Sequence, residues 1–209
     1  MTGIDKLVNK VKALHEKGES DREIATELHL SIETVTWLLT RDIQNENPPA
    51  DVKIGWRSIG VYPTRSRHIA EIMVDIIDEE LDNMDDEAYD DDDEMDIDAV
   101  VGISHNGAFL GPLVAESLDV EYILFRPDAK DMKTGFFGSN YAGVEGKNVV
   151  IIDDVLSTGA TMKHAIEDVK KEGGNPILAL VLVNKRSENM INGTPLRALI
   201  RARVVTKME

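Results

Sequence analysis

The stretch that most constrains this chain begins with four apolar residues, Val149, Val150, Ile151 and Ile152, and runs directly into Asp153, Asp154, Val155, Leu156, Ser157, Thr158, Gly159, Ala160 and Thr161. It reads as a buried strand, then two acids, then a short turn rich in hydroxyls that opens a helix. A helix N-terminus offers unpaired N–H groups and the positive end of a dipole, which together hold a phosphate. Gly159 lets the backbone approach a ligand closely, and Ser157, Thr158 and Thr161 add hydroxyl donors. Such a site lies at the carboxyl end of a strand, where open α/β sheets bind ligands. Adjacent carboxylates repel a phosphate unless something compensates, and sugar hydroxyls and Mg²⁺ are the natural partners. The plainer alternative is an acid pair capping a helix beside an ordinary turn. No Gly-Lys-Ser/Thr ends the run, so it is not a Walker A loop.

The surrounding chain alternates strand-like and helical stretches. Residues 99–103, 121–125, 149–152 and 177–183 are apolar and predict strands; 111–118 and 161–172 predict helices, the second closed by Gly173 and Gly174. A helix is also predicted from Thr64, capped by Ser66, with Ile69, Ile72, Met73, Ile76 and Ile77 on its apolar face. Residues 51–62 carry no strong period and read as extended. Alternating β and α elements with apolar strands imply an α/β fold: a mostly parallel sheet flanked by helices.

Residues 1–44 read as a separate, all-helical module. Leu7, Val8, Val11 and Leu14 form one apolar face, which Gly18 ends. Ser20 followed by Glu23 is a capping-box pattern, and Ser31 can cap a third helix. The stretch 21–40 fits a helix-turn-helix template, with Ala25 at the helix crossing and His29 at the usual glycine turn. Ser31, Ile32, Glu33, Thr34, Thr36, Trp37 and Arg41 are expected on the exposed face of the second helix, and Ser31, Thr34, Thr36, Trp37 and Arg41 are the candidate DNA contacts. Residues 45–58, with their Pro pair, read as a linker, and 59–209 as the second domain.

The run at 149–161 resembles the signature with which type I phosphoribosyltransferases bind phosphoribosyl pyrophosphate (PRPP), and the resemblance in fold covers roughly residues 60–205. It implies that Asp153 and Asp154 meet the ribose hydroxyls, that Ser157, Thr158, Gly159, Ala160 and Thr161 cradle the 5-phosphate, and that Mg²⁺ arrives with PRPP. The orotate enzymes look nearest within that family. Their pyrophosphate loop corresponds to residues 102–107, ending in Asn106 and Gly107, with Asn106 where a Lys is usual; His105 beside them reads equally well as a plain loop residue. Their mobile basic loop corresponds to 126–132, where Arg126 and Lys130 match and would be catalytic if the chain is an enzyme, while Pro127 and Met132 depart. Residues 134–141 would then suit a lid or an ordinary surface loop. Arg186 and Glu188 match the pattern that places an Arg near the base, although a solvated Arg is as good a reading.

A helix-turn-helix fused ahead of such a domain is similar to archaeal orotate phosphoribosyltransferase-like transcription regulators. That resemblance implies a cytoplasmic, homodimeric, DNA-binding regulator of sugar or nucleotide metabolism genes, with PRPP or a nucleotide as effector. The alternative is a working phosphoribosyltransferase, most readily one acting on orotate. Charge bears on this choice. The chain has a net charge of -16, and residues 1–47 hold six Lys/Arg against nine Asp/Glu; DNA-binding heads are usually basic. Lys53, Arg57, Arg65 and Arg67 form a positive stretch that could serve DNA or the anion site. Residues 82–98 carry 11 of the 39 acids and read as a solvated loop. There is no cysteine, so disulfides and thiolate metal sites are excluded, and no apolar run approaches the ~20 residues that span a bilayer. A soluble, intracellular protein is expected.

Overall fold

The structure, a computed structural model, describes residues 3–40, 51–87, 96–127, 135–138 and 141–203. The chain divides into two compact units, Met1–Gly55 with Ala202–Glu209, and Trp56–Arg201. Residues 41–50, 88–95 and 128–134 lie outside the described residues, and with them Arg41, Lys130, part of the expected linker at 45–58 and part of the acidic run.

The first unit holds three helices, α1 (Gly3–Glu16), α2 (Asp21–Leu28) and α3 (Ile32–Thr40). Val8, Val11, Leu14, Ile24, Ala25, Leu28, Leu30, Val35 and Leu38 interlock as one apolar core. The capping box forms: the Ser20 hydroxyl accepts from the Glu23 N–H, and the Glu23 carboxylate accepts from the Ser20 N–H at 2.7 Å. His29 adopts φ 54°, the left-handed turn conformation that glycine usually supplies. It is closed by two bonds, Leu30 N–H to the Ala25 carbonyl and His29 N–H to that of Thr26.

The second unit is built on a seven-stranded sheet ordered β3-β2-β1-β4-β5-β7-β6, with β1 (Ala99–Ile103), β2 (Glu121–Pro127), β3 (Gly135–Phe137), β4 (Asn148–Leu156), β5 (Asn175–Asn184), β6 (Met190–Ile191) and β7 (Thr194–Arg201). β2, β1, β4, β5 and β7 run parallel; the short outer strands β3 and β6 pair antiparallel. Among the described residues four helices complete the unit: α4 (Arg57–Gly60), α5 (Pro63–Glu87), α6 (Gly107–Leu118) and α7 (Ala160–Lys171). α7 covers one face, where Met162, Ala165, Ile166 and Val169 meet Val101, Ile123, Ile151 and Val181. α5 and α6 pack together on the other. The expected α/β architecture with a mostly parallel sheet is present.

Several local expectations need correction. Residues 57–60 form α4 rather than extended chain. Ser66 does not cap α5, which starts at Pro63; its side chain is fully buried and donates to the Ile59 carbonyl at 3.4 Å. The inward face of α5 is Ser66, Ala70, Met73 and Ile77, and Ile72 is exposed. The acidic stretch is not all loop, because α5 carries it as far as Glu87. Asp98 accepts the Asn148 N–H at 2.8 Å beside the start of β1. Residues 135–137 are an edge strand, with Phe136 exposed and Phe137 tilted on Phe125 at 5.4 Å. Among the described residues no helix is long and apolar enough to cross a membrane.

α6 sits close against the sheet because three glycines line the contact. A Cβ at Gly102 or Gly111 would meet the Tyr122 ring, and one at Gly107 would collide with the Ile152 carbonyl oxygen. Gly107→Ala is therefore expected to cost roughly 1–3 kcal/mol of unfolding free energy. Gly143→Ala, whose added methyl meets nothing, is expected to leave it within ~0.5 kcal/mol. Urea melts of the two variants check this, and equal midpoints would refute the packing role of Gly107.

Candidate functional site

Strand order places the site. From β1 the chain leaves through α6 to β2 on one side; from β4 it leaves through α7 to β5 on the other. The carboxyl ends of β1 and β4 therefore flank the point where the winding reverses, which opens a crevice in sheets of this kind. Asp153 and Asp154 lie inside β4 rather than after it, since the strand continues four residues past Ile152 to Leu156.

The turn after β4 is Ser157, Thr158 and Gly159, and α7 begins at Ala160. Gly159 has φ 80°, a conformation that favours glycine. The Thr158 hydroxyl accepts the Ala160 N–H at 3.3 Å. Among the described residues the N–H groups of Ser157, Thr158, Gly159 and Thr161 have no protein acceptor. The hydroxyls of Ser157 and Thr161 likewise have no protein partner there. Four amides and two hydroxyls without protein partners at the positive end of a helix suit an anion with several oxygens.

A second turn clasps this one. Arg186 donates through Nη1 to the Thr158 carbonyl at 2.6 Å and pairs in a fork with the Glu188 carboxylate. Fully buried Asn184 accepts the Arg186 N–H at 2.8 Å and donates to the Glu188 carbonyl, while Lys185 N–H reaches the Leu156 carbonyl at 2.9 Å. The Arg186 guanidinium holds the Glu188 carboxyl below its ordinary value. Arg186, expected near a base, is thus engaged with the phosphate turn itself.

On the β1 side, the Ser104–His105 peptide is cis, His105 is exposed, and Asn106 starts α6. Asn106 donates through Nδ2 to Asp154 Oδ2 at 2.9 Å, so the head of α6 is joined to β4 across the crevice. Trp56, which no sequence pattern singles out, donates its indole N–H to the same oxygen at 2.7 Å. Asp154 is 3% exposed. A buried carboxylate requires such donors. Burial, and then the charge of Asp154, push the Asp153 carboxyl well above its ordinary value. Arg126 ends exposed at the tip of β2 and makes no ion pair among the described residues. The basic stretch is divided: Arg65 stacks on Tyr62 and donates to the Ser58 carbonyl, Arg67 pairs with Glu116 at 3.1 Å, and Arg57 stays exposed beside Trp56.

In the first unit the structure corrects the exposed face of α3. Thr34 is buried at 8% exposure, and its hydroxyl and N–H are taken up by the Ser31 hydroxyl. Ser31 caps the helix, and its N–H donates to Asp51 Oδ2 at 2.7 Å. Trp37 packs half-buried against the core with its ring nitrogen buried and without a partner. Thr36 is exposed and donates to Asp21 at 3.1 Å. The outward face is Glu33, Thr36 and Thr40, with Arg41 outside the described residues.

Residues 56–192 match the phosphoribosyl transferase domain. Along nearly the whole chain, three archaeal proteins called transcriptional regulator GfcR are similar. The one from Thermoplasma acidophilum is 48% identical over 98% of this chain and 98% of its own length. That from Picrophilus torridus is 47% identical over 98% and 100%. That from Archaeoglobus fulgidus is 38% identical over 96% and 98%. Solved adenine phosphoribosyltransferases share the fold: that of Rhodothermus marinus has a TM-score of 0.55 at 20% identity, covering 76% of this chain and 90% of its own. That of Thermoanaerobacter pseudethanolicus has a TM-score of 0.56 at 17%, covering 76% and 92%.

The raised carboxyl of Asp153 has a consequence for stability. A group whose folded-state value lies above its unfolded one, about 3.9 for Asp, stabilises the fold fully at lower pH and loses that contribution as pH rises through the folded value. Asp153→Asn, which imitates the protonated acid, is expected to melt higher than the parent at pH 8 and nearly level with it at pH 4. Melting curves across that range check the sign; a constant difference would refute it.

Proposed function

We propose that this chain, which belongs to the GfcR family of transcriptional regulators and carries a phosphoribosyl transferase domain, binds DNA through its N-terminal helices and senses a phosphorylated ribose at the β1–β4 crevice. The observation that carries the reading is the joint one: similarity to regulators spans both units, and in the turn at 157–161 the amides of Ser157, Thr158, Gly159 and Thr161 and the hydroxyls of Ser157 and Thr161 have no protein partner among the described residues.

In this reading Ser157, Thr158, Gly159, Ala160 and Thr161 hold the 5-phosphate, and Asp153 and Asp154 take the ribose hydroxyls. Asn106 and the backbone at Gly107 face the pyrophosphate of PRPP. Among the described residues no group of three or more His, Cys, Asp or Glu could hold a metal. The pair Asp153 and Asp154 fits Mg²⁺ only as a guest of the ligand, whose charge it would offset. Arg186 positions the phosphate turn. Thr36 lies on the DNA-facing surface of α3, Ser31 and Trp37 border it, Thr34 supports it from inside, and Arg41 would add a phosphate contact. Two heads in a homodimer would read paired half-sites. The regulated genes are those of sugar or nucleotide metabolism, and the compartment is the cytoplasm.

A second reading, a phosphoribosyltransferase acting on orotate, is favoured by Arg126, an exposed cation near the end of β2 with no ion pair among the described residues. With Lys130 it would steady departing pyrophosphate. Pro127 in place of a cation and the engagement of Arg186 weigh against it.

Ser157→Ala with Thr161→Ala is expected to weaken PRPP binding by about tenfold, at ~1.4 kcal/mol per decade, while leaving the melting temperature unchanged. Thr36→Ala is expected to weaken retention of operator DNA, and affinity should fall steeply between ~50 and ~200 mM salt. Undiminished DNA retention by a chain lacking residues 1–44 would refute the first reading. Robust pyrophosphate release with orotate would establish the second.

A further inference from the structure

Asp154 Oδ2 accepts two hydrogen bonds, from Trp56 Nε1 at 2.7 Å and from Asn106 Nδ2 at 2.9 Å. A carboxylate oxygen has two lone pairs in its plane. Both are taken, on an acid that a ribose ligand is meant to meet. A ribose hydroxyl can therefore reach this oxygen only by replacing one of the two donors.

We propose that Trp56 is a latch on the ribose site: a ligand hydroxyl takes the place of the indole N–H on Asp154, and Trp56 leaves. This rests on the reading that Asp154 meets ribose. The two donors differ in how they are held. Asn106 begins a twelve-residue helix whose next residue, Gly107, is buried against β4. Trp56 precedes a helix of four residues, and on its other side residues 51–55 form neither helix nor strand. Its six-membered ring rests over Gly60, where an added Cβ would lie 2.7 Å from one ring carbon. Trp56 is the donor with less to hold it.

The exchange is balanced in hydrogen bonds. The buried carboxylate loses an N–H and gains an O–H, so it never goes without the donors that its burial demands. The indole N–H moves to solvent, which accepts from it. Trp56 therefore acts as an internal competitor: the fraction of molecules with the latch closed lowers the apparent affinity of the ligand in proportion. A residue that only supported Asp154 would do the opposite, because its removal would disorder the acid and weaken binding.

The probe is ribose 5-phosphate with Mg²⁺, titrated into the full chain. The protein has two tryptophans, Trp37 and Trp56, so in a Trp37→Phe background Trp56 alone reports. Its emission should shift saturably with ligand. By calorimetry, Trp56→Phe should bind about 5- to 10-fold tighter than the parent. Gly60→Ala, which crowds the ring from its seat but keeps the N–H, should move affinity in the same direction, and it guards against a Phe variant that folds poorly. Equal or weaker binding by both variants, with the parent still binding, would overturn the latch alone. Failure of the parent and both variants to bind ribose 5-phosphate at millimolar concentration would overturn the ribose reading and the latch with it.

Discussion

A carboxylate buried at 3% exposure dominates the ligand end of the second unit. Removing such a charge from water costs several kcal/mol unless donors meet it, and the donors of Asp154 come from parts of the chain far apart in sequence. Trp56 lies before α4 and Asn106 at the head of α6, and both reach one oxygen on β4. Beside it, burial and the charge of Asp154 push the Asp153 carboxyl well above its ordinary value, which lessens the cost of placing two acids together. The geometry of the crevice is thereby fixed by the need to satisfy one acid. That acid is affordable only where the winding of the sheet reverses and two loops can face each other.

The close approach of those loops depends on missing side chains. Gly102, Gly107 and Gly111 form a surface without Cβ atoms, on which the Tyr122 ring and the β4 backbone settle. Burial pushes the Tyr122 hydroxyl up to about 12, and no partner meets it among the described residues. An unpaired phenol of this kind costs free energy, and the packing around the three glycines is what offsets it. Across the crevice the same end is achieved differently. The turn at 157–159 is held by Arg186 through one carbonyl, which fixes its backbone without occupying its amides. Rigid backbone with unspent donors is what an anion site needs, because the donors need no reorganisation when the ligand arrives.

Much of this was legible from residue order. Four consecutive β-branched residues followed by two acids, hydroxyls and Gly159 could be read as strand, acid pair and anion turn because each step depends on neighbours in sequence. The capping box at Ser20 and the left-handed turn at His29 were legible for the same reason. What escaped was set by distant partners. Trp56 lies in a stretch with no period, and its contact is 98 residues away. Ser66 looked like a helix cap and is a buried contact of Ile59. Ile72 satisfied the apolar spacing, yet the buried stripe of α5 runs through Ala70 and Met73, one small residue that the pattern of large ones conceals. The edge strands β3 and β6 are too short to carry alternation.

The electrostatics of the N-terminal unit set limits on how it can hold DNA. Residues 1–47 are net acidic, and the outward face of α3 begins with Glu33. Neutralising phosphates releases counterions, which supplies most of the affinity of ordinary DNA-binding heads. A head that carries more acid than base gains little from that source. Thr36 has its hydroxyl on Asp21, so even this short polar contact must exchange a partner before it can donate to DNA. Ser31 and Thr34 are occupied in capping α3, and Trp37 is tied to the core. The affinity of one such head is consequently low. In the proposed homodimer two heads are linked, so that the second contact is made at the effective concentration set by the first. A regulator built this way is sensitive to any event that alters the spacing of its heads, and it can be controlled by ligand without a large change in either head itself.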